Sequence, residues 1–441
     1  MKKRFIILCS LITIVLSAFI FRAISRPDNP YHGVEGQKFA MVLSKDIMKI
    51  IQNNSLSSES KASELAKIGQ FLLEEPMGAH HALKVFQKSY EYDSKNINSN
   101  FFLSVLEPVH ALRGAIYRFH KIFEIDPEEY FQNIQDKNNI SNQNVINRLK
   151  YYILGEMKKD LIFELVSDSQ DFIVKQLLPV LTEAEKKIEF VESSANFEIA
   201  FSYQHWQNAW SPKSSVLFDL GEVHAYHSAL KAAQALLKFA SAYNLNDAQL
   251  LDKAFKAEKK LKDPKKLTLE DEVKIIKAFP QFLTLRKEYE GNIKTILEDA
   301  PRIIEGLRIL AQFLKEAKDR ELYLVPQMDE ETFTNLIESL EKADEYIAGP
   351  LMQKIGVNET SKEPITILAN FTALLTQPPL DFKSILPAKF SEQTHNAIEW
   401  ADTSFGGVFP NNDFISTLCQ LKKANRTIKI EGMCPDDRNS E

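Results

Sequence analysis

Apolar residues recur at spacings of three and four along most of the chain, which is the period of an amphipathic helix. The first row comprises Phe39, Val42, Leu43, Ile47, Ile50 and Ile51, and the second comprises Leu65, Ile68, Leu72 and Leu73. Short polar segments separate these rows. The pattern predicts a domain of short antiparallel helices over residues 26–194.

The helical period breaks at residues 196–218. Phe197, Ile199 and Phe201 alternate there with Glu198, Ala200 and Ser202, and a second extended run follows at 215–218. Alternation with a period of two is typical of a strand with one buried face. The sequence therefore predicts a small β-hairpin, which opens a second domain over residues 195–441.

Helical spacing returns after the hairpin and predicts a C-terminal helical half. The helices are predicted from Asp219 onward and at about 246–263, 269–289, 293–319 and 330–348. Asp219 with Glu222, and Thr268 with Asp271, have the spacing of capping boxes, in which each side chain accepts a hydrogen bond from the other residue's backbone amide.

Several prolines after Gly349 argue against further long helices, so the sequence predicts an irregular region from about residue 350. Within it, Phe405-Gly406-Gly407-x-Phe409-Pro410 predicts a tight loop. The fold class predicted for the whole chain is mainly α, with antiparallel helical hairpins or a bundle, one small β-hairpin and a helical C-terminal half.

A spacing of 33 residues relates two parts of the N-terminal half. Ala82 and Phe86 recur 33 residues later as Ala115 and Phe119, and Asp93 and Asp126 mark the ends of the two segments. With Ser89 and Ile68-Gly69-x2-Leu72, this pattern resembles the tetratricopeptide repeat over two degenerate units at about residues 61–130. The resemblance implies a concave surface that holds a peptide or protein segment. The alternative is an ordinary helical bundle.

The first 25 residues have the features of an export signal. Lys2, Lys3 and Arg4 precede an uncharged stretch from Phe5 to Phe21, and Ala23 and Ser25 form a small-x-small cleavage pair. Because moving a basic side chain through hydrocarbon is costly, the charged end stays in the cytoplasm and the following chain is exported. We expect cleavage, with an uncleaved signal anchor as the alternative.

Export changes the interpretation of charge and cysteine content. Removal of residues 1–25 deletes four basic residues and no acidic ones, which moves the formal charge from -6 to -10. A chain with this negative charge lacks the basic surface that a nucleic-acid partner requires.

The cysteine content also depends on export. Cys9 lies in the signal, which leaves Cys419 and Cys434 as an even pair in a compartment where disulfides persist. We predict a disulfide between them.

Common catalytic motifs are absent from the sequence, including HExxH, GxSxG, GxxxxGK[ST] and CxxC. The remaining candidates surround the hairpin. His224 and His227 lie three residues apart on one helical face, and His205 can approach them, so the three are candidate metal ligands. The competing interpretation is ordinary polar packing. Trp206 and Trp210 are candidate partner-binding residues, since tryptophans anchor many interfaces.

The sequence favours a secreted, periplasmic or envelope-anchored helical scaffold that binds a protein or peptide partner. No cofactor is expected, and membrane contact is expected only through an uncleaved N-terminal segment. Two alternatives stay open. The first is a metal-dependent or hydrolytic enzyme that uses His205, His224 and His227, and the second is a carrier of an apolar ligand between the helices of the second half.

Overall fold

The structure is a computed structural model of the chain. It describes residues 36–73, 78–124, 126–127, 153, 162–194, 196–202, 215–261, 268–316, 327–357, 364–393, 395–411 and 414–424. The protein is mainly α-helical with small two-stranded antiparallel sheets, which confirms the predicted fold class. Among the described residues, no helix is both long and apolar enough to cross a membrane.

Contacts divide the chain into two compact units. Unit 1 contains the described residues within 36–164, 171–234 and 303–337. Unit 2 contains those within 165–170, 235–302 and 338–424. Each unit therefore combines separated segments of the chain. The sequence instead placed a single boundary near residue 195, and that division into independently folding parts stays a prediction.

Five helices begin the described chain. They are α1 (Gly36–Gln52), α2 (Ser58–Leu73), α3 (Gly78–Tyr92), α4 (Ile97–Ala111) and α5 (Ala115–Phe123). Phe86 of α3 is fully buried, stacks on Phe102 of α4 with ring centroids 4.6 Å apart, and covers Gly69 of α2. Helices α2, α3 and α4 thus pack against one another in chain order, and the assignment of this region to a repeat family stays a prediction.

A long helical segment follows, interrupted once by a wider turn. It consists of α6 (Val166–Phe172), a π-helical turn (Ile173–Leu177) and α7 (Leu178–Glu192). Pro179 explains the wide turn, because proline has no N–H to donate and its ring collides with the carbonyl four residues earlier. A π turn inserts one residue and so relieves the conflict.

The predicted hairpin is present as strands β1 (Glu198–Ser202) and β2 (Ser215–Asp219), paired from Glu198↔Asp219 to Ser202↔Ser215. Phe197 and Phe218 are buried and lie against Phe101 of α4, with centroids 5.0 and 6.1 Å from its ring. The hairpin therefore belongs to the core of unit 1.

Further helices precede Gly349 in the described part of the second half. They are α8 (Leu220–Ala242), α9 (Ala248–Leu261), α10 (Leu269–Lys277), α11 (Glu290–Glu316) and α12 (Glu330–Ala348). Asp219 begins α8: its Oδ1 accepts from the Gly221 amide at 2.8 Å, and its own amide donates to Glu222 at 2.9 Å. Thr268 and Asp271 cap α10 with a complete capping box. Both predicted helix starts are confirmed.

The helix predicted over 269–289 is wrong beyond Lys277. Pro280 disfavours helical backbone at the residue before it, and the chain continues as a turn up to Leu283. Thr284 and Leu285 then form isolated bridges with Asp381 and Tyr243, respectively. The amide of Leu283 donates to the carbonyl of Asn244, and that of Leu285 donates to the carbonyl of Leu380. These backbone groups are therefore satisfied by distant segments of unit 2 rather than by a helix.

The region predicted to be irregular from about residue 350 contains more structure than expected. Its elements are β3 (Leu351–Val357), β4 (Pro364–Ala369), α13 (Ala373–Thr376), a 3-10 turn (Phe382–Ile385), β5 (Pro387–Phe390), β6 (Ala397–Trp400) and α14 (Phe414–Ala424). Strands β3 and β4 pair with each other, as do β5 and β6. Proline at the first position of β4 and of β5 is compatible with a strand start.

The predicted tight loop after β6 is confirmed. Phe405, Gly406 and Gly407 all have positive φ, at 53°, 69° and 84°. The carboxylate of Asp402 holds the loop by accepting hydrogen bonds from the amides of Ser404 at 2.8 Å and Gly406 at 2.6 Å.

Unit 2 has its own apolar core. Tyr243, Ala242 and Ile293 are buried at its centre, and Phe239, Leu285, Tyr289, Leu375 and Phe382 pack around them. Burial and the nearby Glu290 carboxylate raise the pKa of Tyr243 to about 12. Buried Lys383 donates to the carbonyl of Pro280 at 3.0 Å and to that of Phe282, which secures the segment after α10.

Candidate functional site

Two helices of unit 1 share a row of ionisable side chains, here called the polar seam. From α7 it includes Glu185, Glu189 and Glu192, and from α8 it includes His224, His227 and Lys231. Residues separated by three, four or seven positions lie on one face of a helix. Glu192 meets the two histidines while Glu185 meets Lys231, so the two rows run in opposite directions.

The polar seam runs beside the apolar core of unit 1. Leu181, Ala184, Ile188 and Val191 of α7 and Val223, Tyr226 and Leu230 of α8 are buried. The Tyr226 hydroxyl donates to the carbonyl of Ser104 at 2.7 Å, and burial raises the pKa of this phenol. Apolar packing therefore fixes both backbones, and with them the spacing of the ionisable groups.

Glu192 bridges both histidines. Its Oε1 lies 2.9 Å from Nδ1 of His224, and its Oε2 lies 2.8 Å from Nδ1 of His227. Burial raises the pKa of Glu192, but the hydrogen bonds and charges of His224 and His227 outweigh it and hold the pKa at about 2. Because an ionised carboxylate only accepts hydrogen bonds, both Nδ1 atoms carry protons and donate.

Glu185 and Lys231 form a buried ion pair one turn away. The side chain of Lys231 is 4% exposed, and its ammonium contacts Oε1 of Glu185. Gln234 donates to Oε2 of the same carboxylate at 2.8 Å. Both oxygens of Glu185 are therefore held in place. Removing one member of such a pair typically costs about 3–5 kcal/mol, because the other charge is left buried alone.

His227 has a second nitrogen for which the described residues provide no hydrogen-bond partner. Its Nε2 is buried without one and lies 3.9 Å from Oε1 of Glu189, beyond hydrogen-bonding distance. Donor atoms of Glu185, Glu189 and His227 all lie within 4.8 Å of one another. The polar seam thus places two carboxylates and one imidazole around a common point.

The structure changes the interpretation of the predicted metal ligands. His224 and His227 do lie close together, but they share a carboxylate through their Nδ1 atoms. His205 lies outside the described residues, so the predicted set of three histidines stays a prediction. Trp206 and Trp210 also lie outside the described residues, and their role in partner binding stays a prediction as well.

The acidic half of the polar seam was missed at the level of sequence. The signal was available in Glu185-x3-Glu189-x2-Glu192, which places three carboxylates on one helical face. The pairing partners His224-x2-His227-x3-Lys231 have the matching periodicity. Periodicity alone does not show which two helices face each other, so the two rows could be matched only in the structure.

The predicted disulfide is in the C-terminal part of the chain. Cys419 lies in α14, and Cys434 lies outside the described residues. The bond stays a prediction.

Comparisons of the chain with protein-family models, with curated proteins and with solved structures find no match. The class that the fold defines is a mainly α-helical protein with small antiparallel hairpins. A functional proposal therefore depends on its own surfaces and side chains.

Proposed function

We propose that the chain is an exported helical scaffold that binds a peptide or protein segment through the outer face of α1. The observation behind the proposal is the exposure of Met41 and Met48, whose side chains are 67% and 45% exposed. Seven residues separate them, so they lie on one face of the helix. Phe39 and Leu43 on the other side of α1 are buried.

Exposed methionines suit a surface that accepts an apolar partner segment. Methionine is unbranched and polarisable, so it adapts to partners of different shape. Lys45 lies between the two methionines and is exposed. The partner segment we propose is an amphipathic one, with apolar side chains against Met41 and Met48 and an acidic side chain near Lys45. The resemblance of the following helices to tetratricopeptide repeats supports a binding role but does not identify the partner.

The experiment is site-specific photo-crosslinking with the full chain. A photoreactive amino acid is placed at Met41, and a matched control places it at Leu250, which is 53% exposed on α9. Crosslinking is carried out in cells, and adducts are identified by mass spectrometry.

The proposal expects a discrete adduct from position 41 that Met48→Glu abolishes, since a buried carboxylate in an apolar contact is costly. Adducts that are identical at positions 41 and 250, or the absence of any adduct at position 41, would contradict it.

A further inference from the structure

The polar seam contains a set of donor atoms suited to a cation. We propose that Glu185, Glu189 and His227 bind one divalent metal ion, with Zn²⁺ as the ion whose preferences they fit best. Zinc accepts both imidazole nitrogen and carboxylate oxygen, and it is commonly held by three protein ligands with a fourth position open. This site is independent of the partner-binding role proposed for α1.

His227 is oriented in the way that a ligating histidine requires. Its Nδ1 donates to Glu192 at 2.8 Å, so in the neutral ring the lone pair is on Nε2. That Nε2 atom is buried and has no hydrogen-bond partner among the described residues. A carboxylate on the far nitrogen is the usual outer partner of a metal-bound imidazole, because it fixes the tautomer and increases the basicity of the ring.

The two carboxylates come from successive turns of α7. Four residues separate Glu185 from Glu189, so both reach the same side of the helix. Metal bonds of about 2.0–2.1 Å in a tetrahedral site place donor atoms about 3.4 Å apart. The present separations are within 4.8 Å, and the Glu189 side chain is 47% exposed. Because it is half exposed, the Glu189 side chain has room to rotate toward the other two donors.

Charge balance supports a cation at this position. In the polar seam, the three carboxylates of Glu185, Glu189 and Glu192 outnumber the ammonium of Lys231. A divalent cation reduces this excess of acidic groups. Lys231 and Gln234 contact the carboxylate oxygens of Glu185 and orient them, so they act as positioning residues rather than ligands.

The test is a zinc titration of the full chain after treatment with a chelator. Binding is measured by competition with a chromophoric chelator, and thermal unfolding midpoints are recorded with and without ZnCl₂. The wild-type chain is expected to bind one equivalent and to unfold at a higher temperature with zinc, since a ligand that binds only the folded state stabilises it.

Matched variants identify the ligands. Glu189→Gln and His227→Gln are expected to lose the bound equivalent, whereas His224→Gln is the control and keeps it. Glu192→Gln is expected to weaken binding about 10- to 100-fold, because it removes the carboxylate that orients His227. Glu189 is half exposed, so its variant folds normally and remains informative even if His227→Gln does not fold.

Two outcomes would overturn the proposal. One is a wild-type chain whose zinc stoichiometry and midpoint shift equal those of Glu189→Gln. The other is an equal loss in His224→Gln, which would point instead to a site shared by His224 and His227. Neither outcome bears on the photo-crosslinking result at Met41, so the two proposals can fail separately.

Discussion

At the scale of single residues, close packing makes some positions intolerant of one added methyl group. A Cβ atom at Gly69 would lie 2.7 Å from the ring of Phe86, which is fully buried and stacked on Phe102. The ring cannot retreat without displacing α4. Small residues at such crossings are therefore required by space rather than by backbone conformation.

We expect Gly69→Ala to lower the free energy of unfolding by about 1–3 kcal/mol through overpacking. Gly291→Ala is the matched control, because no neighbouring atom in the described part of the chain lies within 4 Å of its added Cβ, and the residue is in α11. Alanine is favoured over glycine in a helix by up to about 1 kcal/mol, so this variant should be neutral or more stable. Urea unfolding of both variants measures the difference, and equal midpoints would refute the overpacking explanation.

Asp402 gives a pH-dependent prediction. Burial raises the pKa of Asp402, but hydrogen bonds from Ser404 and Gly406 outweigh it and lower the pKa below its ordinary value of 3.8. A lowered folded-state pKa stabilises the fold above pH 3.8, and the stabilisation is lost as the pH falls further.

Asp402→Asn should cost about 1–2 kcal/mol at pH 7, since the amide nitrogen cannot accept from Gly406. The difference between wild type and variant should shrink below about pH 4, which thermal unfolding over a pH series would show. A difference that stays constant down to pH 3 would rule out this role for the carboxylate.

At the scale of secondary-structure elements, the helix starts follow from local chemistry. The amide of Asp271 donates to the Thr268 hydroxyl at 3.3 Å, and the Asp271 carboxylate accepts from the Thr268 amide at 3.1 Å. We expect Thr268→Ala to cost about 1 kcal/mol and Thr268→Ser to cost much less, because serine keeps the hydroxyl. Urea midpoints compare the two, and equal losses would show that the hydroxyl is not the cap.

The same scale shows how far the sequence could predict the fold. The β-hairpin and the capping boxes were predictable because a period of two and a capping pair are local signals. Helix α12 was predicted with its observed bounds, 330–348. Strands β3 to β6 were missed although β3 and β4 are longer than β1 and β2, because the prolines after Gly349 predict irregular backbone and the pairing of two segments is not encoded in periodicity. The pairing of the two rows in the polar seam was missed for the second of these reasons.

At the scale of the whole molecule, the export prediction concerns the compartment in which the protein works and the cleavage of its N-terminal segment. The exported chain is expected to start at Arg26 and to be found outside the cytoplasm. Intact mass measurement of the protein from cell fractions checks both points. A further mass increase on reduction would report the Cys419–Cys434 bond. Full-length protein in the cytoplasmic fraction would contradict the export prediction.

The wide turn before α7 also sets the rotational phase of everything that follows it. In a regular α-helix, Phe172 and Glu183 would lie on the same side, because eleven residues complete about three turns. In the structure Glu183 is exposed, and the buried residue on the side of Phe172 is Ala184. One inserted residue corresponds to a rotation of about 100°. The side of α7 on which Glu192 lies therefore depends on the π turn that takes up the extra residue, several helical turns earlier. Pro179 is the reason for that turn. Deleting one residue from Ile173–Leu177 would leave eleven positions from Phe172 to Ala184, which is the spacing that aligns two residues in a regular α-helix, so Glu192 would still point to both histidines.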